Sequence, residues 1–166
     1  QTSTANGTTS SNASIVFNDT APTSSVFSIG TSTGTNANTG TYVAYCFAEI
    51  QGYSKFGSYE GNNSTDGTFV YTGFKPAWVM VKNIDAAYGW QILDNKRDPH
   101  NVRNQSLFAN LANAEDVTTA DETDFLSNGF KNREGGNSAN DNYTYIYMAF
   151  AEHPFVSSKG VPVTAR

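Results

Sequence analysis

Short runs of aromatic and β-branched residues alternate along the chain with polar stretches rich in Gly, Asn, Ser and Thr. The first group fits the pleated surface of a sheet, and the second supplies turns. The pattern predicts strands at Ser14–Phe17, Ser25–Ile29, Tyr42–Ile50, Lys55–Tyr59, Thr68–Thr72, Ala77–Lys82, Trp90–Asp94, Phe125–Lys131 and Tyr143–His153. Between Asn95 and Glu122 the chain is irregular. One short helix is predicted there, because Leu107, Phe108 and Leu111 have helical spacing. We therefore expect an all-β fold: an antiparallel β-sandwich, jelly-roll or lectin-like, with at most one short helix.

One nine-residue segment occurs twice. Thr41–Glu49 (TYVAYCFAE) reappears as Thr144–Glu152 (TYIYMAFAE), and five of the nine positions are identical. Successive side chains of a strand point to opposite faces of a sheet, and both faces of these segments are largely apolar. Both segments are therefore predicted to be central strands covered on both sides. Cys46 aligns with Ala149, which predicts a small buried residue rather than a nucleophile.

The repeat also predicts how the chain is divided. Residues 1–50 are expected to be the C-terminal part of an incomplete repeat unit with a polar N-terminal segment. Residues 51–166 are expected to form a complete sandwich unit with a C-terminal tail. Because the first unit has no counterpart of residues 73–82, we expect the parent protein to continue upstream of Gln1.

Composition and charge make several classes of partner unexpected. The formal net charge is −5, and no cluster of basic residues is longer than Lys96–Arg97, whereas a nucleic-acid groove needs a concentrated positive field. No stretch approaches the ~20 apolar residues that cross a bilayer. A single cysteine excludes an internal disulfide, so packing or oligomerisation must supply stability. We expect neither nucleic-acid binding nor membrane insertion.

Four strings in the chain resemble an uncharacterised domain family found at the C-termini of large tail-fibre-like and structural proteins of marine and other bacteriophages. They are Gly52–Tyr59 (GYSKFGSY), Gly67–Lys82 (GTFVYTGFKPAWVMVK), Tyr147–Val156 (YMAFAEHPFV) and Val161–Arg166 (VPVTAR). The resemblance implies a virion location, repeated β domains and a homotrimeric shaft or tip that contacts other virion proteins. It supplies no catalytic motif and implies no cofactor.

If the module is an adhesin, we expect its ligand to be a host cell-surface glycan. Sugar sites combine stacking aromatic rings with amide and carboxylate groups, much as other small-ligand pockets combine apolar walls with a few polar groups. Tyr88 and Trp90, together with Asn62, Asn63 and Asp66 of a turn-forming loop, are the candidate ligand-binding residues. The alternative interpretation of the same residues is a hairpin loop and core packing.

Two other functions are considered. A polysaccharide depolymerase needs two carboxylates about 5–10 Å apart in a groove, and Glu49, Glu152 and Asp94 are the candidates. We do not expect catalysis, because each glutamate ends a predicted strand and the two histidines, His100 and His153, accompany no serine elbow motif. The stretch from Asp94 to His100 is predicted to be a salt-bridged loop rather than a metal site. The remaining alternative is a capsid or filament decoration or spacer protein without a ligand.

Overall fold

The computed structural model of the protein describes residues 3–4, 9–10, 13–117 and 122–154. The chain forms two compact units, Gln1–Phe47 (unit 1) and Ala48–Arg166 (unit 2). The elements of unit 1 are β1 (Ser3–Thr4), β2 (Thr9–Ser10), α1 (Ala13–Phe17) and α2 (Thr33–Asn36). Those of unit 2 are β3 (Ser54–Glu60), β4 (Phe69–Tyr71), β5 (Pro76–Asn83), β6 (Gln91–Asp94), β7 (Gln105–Phe108), β8 (Asp116–Val117), β9 (Thr123–Leu126), β10 (Gly129–Asn132), α3 (Asn137–Asn140) and β11 (Thr144–Ala151).

Two antiparallel sheets form unit 2 and confirm the predicted all-β sandwich. The strand order is β3-β11-β5-β6-β7-β8 in the larger sheet and β4-β10-β9 in the smaller one. The predicted strands from Lys55 to Asp94, and the one at Tyr143–His153, are present with ends within two residues of those expected. Their alternating side chains give each sheet one face that can be buried against the other sheet.

The core lies between the two sheets and is rich in aromatic rings. Tyr59 of β3 stacks on Tyr145 of β11 with ring centroids 5.1 Å apart, and it meets Phe130 of β10 edge-on at 5.9 Å. Phe130 also meets Tyr147 edge-on at 5.5 Å. Such pairs contribute about 0.5–1.5 kcal/mol beyond the area they bury. The Tyr59 hydroxyl donates to the backbone carbonyl of Ala139 at 2.7 Å, so its polar end is satisfied.

The sequence of β11 suits its position between two strands. Tyr145, Tyr147 and Ala149 face the core and are buried, while the residues between them face the other side and are half-buried. Tyr147 lies opposite Gly57 of β3, where an added Cβ would come within 3.0 Å of the Tyr147 ring. Glycine at this position therefore leaves room for the large ring of the central strand.

Two expectations for unit 2 are wrong. The single strand predicted at Phe125–Lys131 is a hairpin, in which β9 and β10 are joined by Ser127 and Asn128. The helix predicted from Leu107, Phe108 and Leu111 is the strand β7, in which Leu107 pairs with β6. In both cases the conformation depends on pairing with neighbouring strands. The spacing of apolar residues along the chain does not show which strands pair.

The expectation of at most one short helix is also wrong, because the described ranges contain three, each of four or five residues. One of them, α1, replaces the strand predicted at Ser14–Phe17. No helix in the part of the chain that the structure describes is long and apolar enough to cross a membrane.

The first copy of the repeat does not form the strand predicted at Tyr42–Ile50. Neither this segment nor Ser25–Ile29 is a strand, and Ile50 makes only an isolated bridge to Ser54. Cys46 is exposed, so its predicted burial is wrong. The physical reason is the lack of sheet neighbours. The second copy, β11, lies between two long strands, whereas the described residues of unit 1 supply only the two-residue strands β1 and β2.

Candidate functional site

The loop between β3 and β4 is held in place by Asn140, a polar residue that is only 2% exposed. The Asn140 side-chain nitrogen lies 3.0 Å from Oδ1 of Asn62, 2.9 Å from the carbonyl of Ser64 and 2.8 Å from the carbonyl of Glu134. Asn63 has a left-handed φ of 49°, and its backbone nitrogen donates to the Asn140 carbonyl at 2.7 Å. Two predicted ligand-binding residues, Asn62 and Asn63, therefore fold the loop onto the segment that precedes β11.

Tyr88 and Asp66 lie around the same loop. The Tyr88 hydroxyl donates to Oδ2 of Asp141 at 3.3 Å, and burial, followed by the Asp141 charge, raises the pKa of Tyr88. Asp66 is exposed and pairs with Lys131 at 2.6 Å, and this hydrogen bond lowers the pKa of Asp66. Since Asn62 contacts the residue before Asp141, Tyr88 and the loop meet a common segment. Four of the five predicted residues thus belong to one polar end of unit 2, here called the loop end.

Trp90, the fifth predicted residue, lines a different feature. It borders an apolar hollow of about 250 Å³ on the larger sheet, whose lining residues are Phe56, Gly57, Met80, Trp90, Ile146, Tyr147 and Met148. Met148 of β11 lies directly between Phe56 of β3 and Met80 of β5. The lining offers few polar groups, so this hollow does not combine an aromatic wall with the donors and acceptors that a sugar needs.

A third feature, at the edge of the sandwich, combines an aromatic ring with hydrogen-bonding side chains. We call it the lateral cleft: an opening of about 370 Å³ lined by Glu49, Gln51, Gly52, Ser54, Lys55, Tyr71, Thr72 and Gly73. It lies where the edge strand of the larger sheet, β3, meets the end of β4, the edge strand of the smaller sheet. Val70 of β4 points into the core, which turns its neighbour Tyr71 outward, and Tyr71 is 64% exposed.

The polar side chains that line the cleft carry no net charge. Nζ of Lys55 donates to Oε1 of Glu49 at 2.6 Å, and this hydrogen bond raises the pKa of Lys55. The hydroxyls of Ser54 and Thr72 donate to backbone carbonyls at 2.8 Å and 2.6 Å, so they are already engaged. Gln51 is exposed. Apart from the Tyr71 hydroxyl, the polar side-chain groups left for a ligand are therefore one amide and one ion pair with no net charge.

The sequence of the chain matches the model of a known protein family. The family model described as a domain of unknown function (DUF7483) matches residues 2–154. The chain belongs to the DUF7483 family. No curated protein and no solved structure matches it. The match includes the loop end, the apolar hollow and the lateral cleft of this DUF7483 domain.

Two of the carboxylates considered for hydrolysis are held by other cations of the DUF7483 domain. Glu152 pairs with Lys75 at 2.7 Å and accepts from the Asn95 side chain at 2.8 Å, and Asp94 pairs with Arg97 at 2.7 Å. Burial alone would raise both pKa values, but the hydrogen bonds and positive charge of these partners outweigh it and lower the pKa of each. A general acid at neutral pH needs a raised pKa, so these two carboxylates suit structural ion pairs.

The segment from Asp94 to His100 is a salt-bridged loop, as predicted. The Arg97 guanidinium donates to the Asp94 carboxylate and to backbone carbonyls of β6 and β7 at 3.2 Å and 3.0 Å. His100 and His153 are both exposed. Within the described ranges, no group of three or more His, Cys, Asp or Glu side chains of the DUF7483 domain could hold a metal ion.

Proposed function

We propose that this DUF7483 domain is a structural module of a bacteriophage virion fibre, which forms a homotrimer and contributes to attachment to a host cell-surface glycan. The observation that carries the proposal is a run of exposed apolar side chains in unit 1. Val43 is 79% exposed and Tyr45 is 83% exposed, and Val26 and Ile29 are exposed as well. Ile29 and Val43 border the same hollow, and a large exposed apolar patch marks an interaction site.

The occupant that this surface suits is another copy of the chain. Val43 and Tyr45 align with Ile146 and Met148 of β11, which lie on the outer face of the larger sheet. The run therefore has the side-chain pattern of a sheet strand, and an extended segment of this kind binds by adding to the edge of a sheet. A hollow of about 440 Å³ in unit 1, bordered by Val43 among other residues, adds apolar surface beside it. The sequence resemblance to phage fibre proteins gives the setting.

The mass of the native protein in solution, measured by light scattering, tests the proposal. We expect a trimer, and we expect Val43→Ser with Tyr45→Ser to reduce it to a monomer. Tyr143→Ser is the matched control, because Tyr143 is also exposed but lies in unit 2. The thiol of Cys46 should react more slowly in the trimer than in the double variant. A monomer at all concentrations would overturn the fibre assignment.

A spacer or decoration protein without a ligand is the second candidate. It is favoured by one observation: Asn62 and Asn63 are used to fix their own loop, as the distances to Asn140 show. A trimer that adsorbs to no host cell or host polysaccharide would support this candidate over the attachment role. A depolymerase would instead release reducing ends from host polysaccharide, and the presence of Glu49 in the lateral cleft makes that assay worth performing.

A further inference from the structure

We infer that the lateral cleft of unit 2 is a binding site for an uncharged saccharide. This inference rests on the attachment role proposed above and assigns that role to a site outside the loop end. At about 370 Å³ the cleft lies at the small end of the range of ligand pockets, roughly 300–1,000 Å³. Its lining supplies an exposed aromatic ring, one exposed amide and one ion pair.

Tyr71 is the aromatic wall of the site. Tyr71 is 64% exposed at the end of β4, and its hydroxyl lies 3.6 Å from the point where a Cβ on Gly73 would stand. Gly73 has a φ of +82°, so a side chain is disfavoured there and the floor beside the ring stays open. A tyrosine ring is a large apolar surface with a polar tip, and the C–H face of a pyranose can stack on it while hydroxyl groups remain hydrated.

The ion pair supplies hydrogen-bonding groups of both kinds. The Lys55 ammonium has three donors, and the contact with Oε1 of Glu49 uses one of them. The Glu49 carboxylate keeps further acceptor sites, and the Gln51 amide adds a donor and an acceptor. Sugar hydroxyls both donate and accept, so they match this wall. The hydroxyls of Ser54 and Thr72 donate to backbone carbonyls. The sugar is therefore recognised by the side chains of Lys55, Glu49 and Gln51.

The same ion pair selects against charged sugars. A uronic acid that bonds to the remaining donors of Lys55 would place its carboxylate beside that of Glu49, and the two like charges would repel each other. The formal net charge of −5 on the chain adds a general repulsion of polyanions. An uncharged sugar meets neither penalty, because it can bond to both members of the pair without separating them.

Titration calorimetry of the intact protein tests the site with hexasaccharides of one length. The neutral probes are cello-, laminari- and maltohexaose, and the acidic probe is an alginate hexasaccharide. We expect at least one neutral probe to bind and the acidic probe to bind more weakly. Tyr71→Ala should weaken binding about tenfold, the loss expected for one stacked ring. Tyr71→Phe, which keeps the ring, and Tyr143→Ala, an exposed tyrosine outside the cleft, should bind nearly as the wild type does.

Glu49→Gln provides the sharper test, because it leaves the Lys55 charge uncompensated. This variant should gain affinity for the alginate probe relative to the neutral probes, whereas Lys55→Met should weaken both. Neutral binding that survives Tyr71→Ala would overturn the cleft assignment and leave the attachment role standing. Wild-type preference for alginate would refute the ligand class. Failure to bind any probe would refute the saccharide site, whereas the fibre assignment depends separately on the mass of the assembly.

Discussion

Replacing Asn140 with alanine should destabilise unit 2 more than any surface change near it. Asn140 is 2% exposed and joins three pieces of chain: the loop after β3, the start of β4 and the segment before β11. Alanine would remove the amide and leave the groups that it serves without their partner. Asn142→Ala is the matched control, because Asn142 lies two residues away and is exposed.

The size of the loss follows from the contacts. The Asn140 amide nitrogen has two hydrogens for three acceptors at 2.8–3.0 Å, so it makes at most two full donations. Its oxygen accepts from the backbone nitrogen of Asn62 at 3.3 Å and, more weakly, from that of Thr68 at 3.5 Å. At about 1 kcal/mol for each of three effective hydrogen bonds, the variant should lose about 3 kcal/mol. That is a large share of the ~5–15 kcal/mol typical of a domain.

Urea unfolding followed by tryptophan fluorescence measures this difference, since Trp78 and Trp90 both lie in unit 2. With a slope of about 1.5 kcal/mol per molar urea, the midpoint should fall by about 2 M for Asn140→Ala and hardly move for Asn142→Ala. A loss below about 1 kcal/mol for Asn140→Ala would refute the reasoning. It would mean that water replaces the amide at no cost, and that the loop does not need this residue.

Three further predictions concern separate parts of the molecule. Because its partners hold the pKa of Glu152 below the usual value, the pair with Lys75 stabilises the fold above about pH 5 and loses that effect as acid protonates Glu152. Lys75→Met should therefore cost about 0.5–1 kcal/mol in urea unfolding at pH 7 and less at pH 3. Gly129→Ala should lower the melting temperature clearly, because the new Cβ would lie 2.1 Å from the Val70 carbonyl. In the monomeric double variant, Cys46 should react with a thiol reagent nearly as fast as it does in urea, because the structure exposes it.

Five strands of unit 2, β3 to β6 and β11, could be predicted because each of them carries its own signal in the sequence. In β5 and β11 the apolar runs are long and bounded by polar turns, and the structure confirms both. The segment Phe125–Lys131 also reads as one strand, although Ser127 and Asn128 make a two-residue hairpin loop within it. The Asn128–Gly129 step was the available turn signal, since both residue types favour tight turns.

The two copies of the repeat show what a sequence pattern alone does not determine. Thr41–Glu49 and Thr144–Glu152 have nearly the same alternation, yet only the second copy contains a strand. A strand is stable through its neighbours, and β11 has β3 on one side and β5 on the other. The exposure of Cys46 follows from the same cause.

The candidate sites, too, could be predicted from the sequence only in part. The sequence indicated the polar loop and its aromatic neighbours, but it placed Trp90 with Tyr88 because they are close in the chain. The direction of Trp90 follows from its place before β6, which puts it on the outer face beside Met80. The sequence did not indicate Tyr71 as a site residue, because the apolar run of its strand is typical of a buried strand. Its signal was the alternation in β4, where Val70 faces inward and both flanking aromatics must face outward.

The position of β11 in the larger sheet also affects how this protein can be made. Its partners in β3 lie 84 to 96 residues earlier, from Thr144 with Glu60 to Phe150 with Ser54. During synthesis, β3 and β5 therefore leave the ribosome well before β11, the strand that lies between them. Their apolar edges stay unpaired until β11 is made. Pairing over such distances is slow, and exposed strand edges are prone to aggregation. Expression at low temperature, or with a chaperone that covers strand edges, should raise the yield of folded protein.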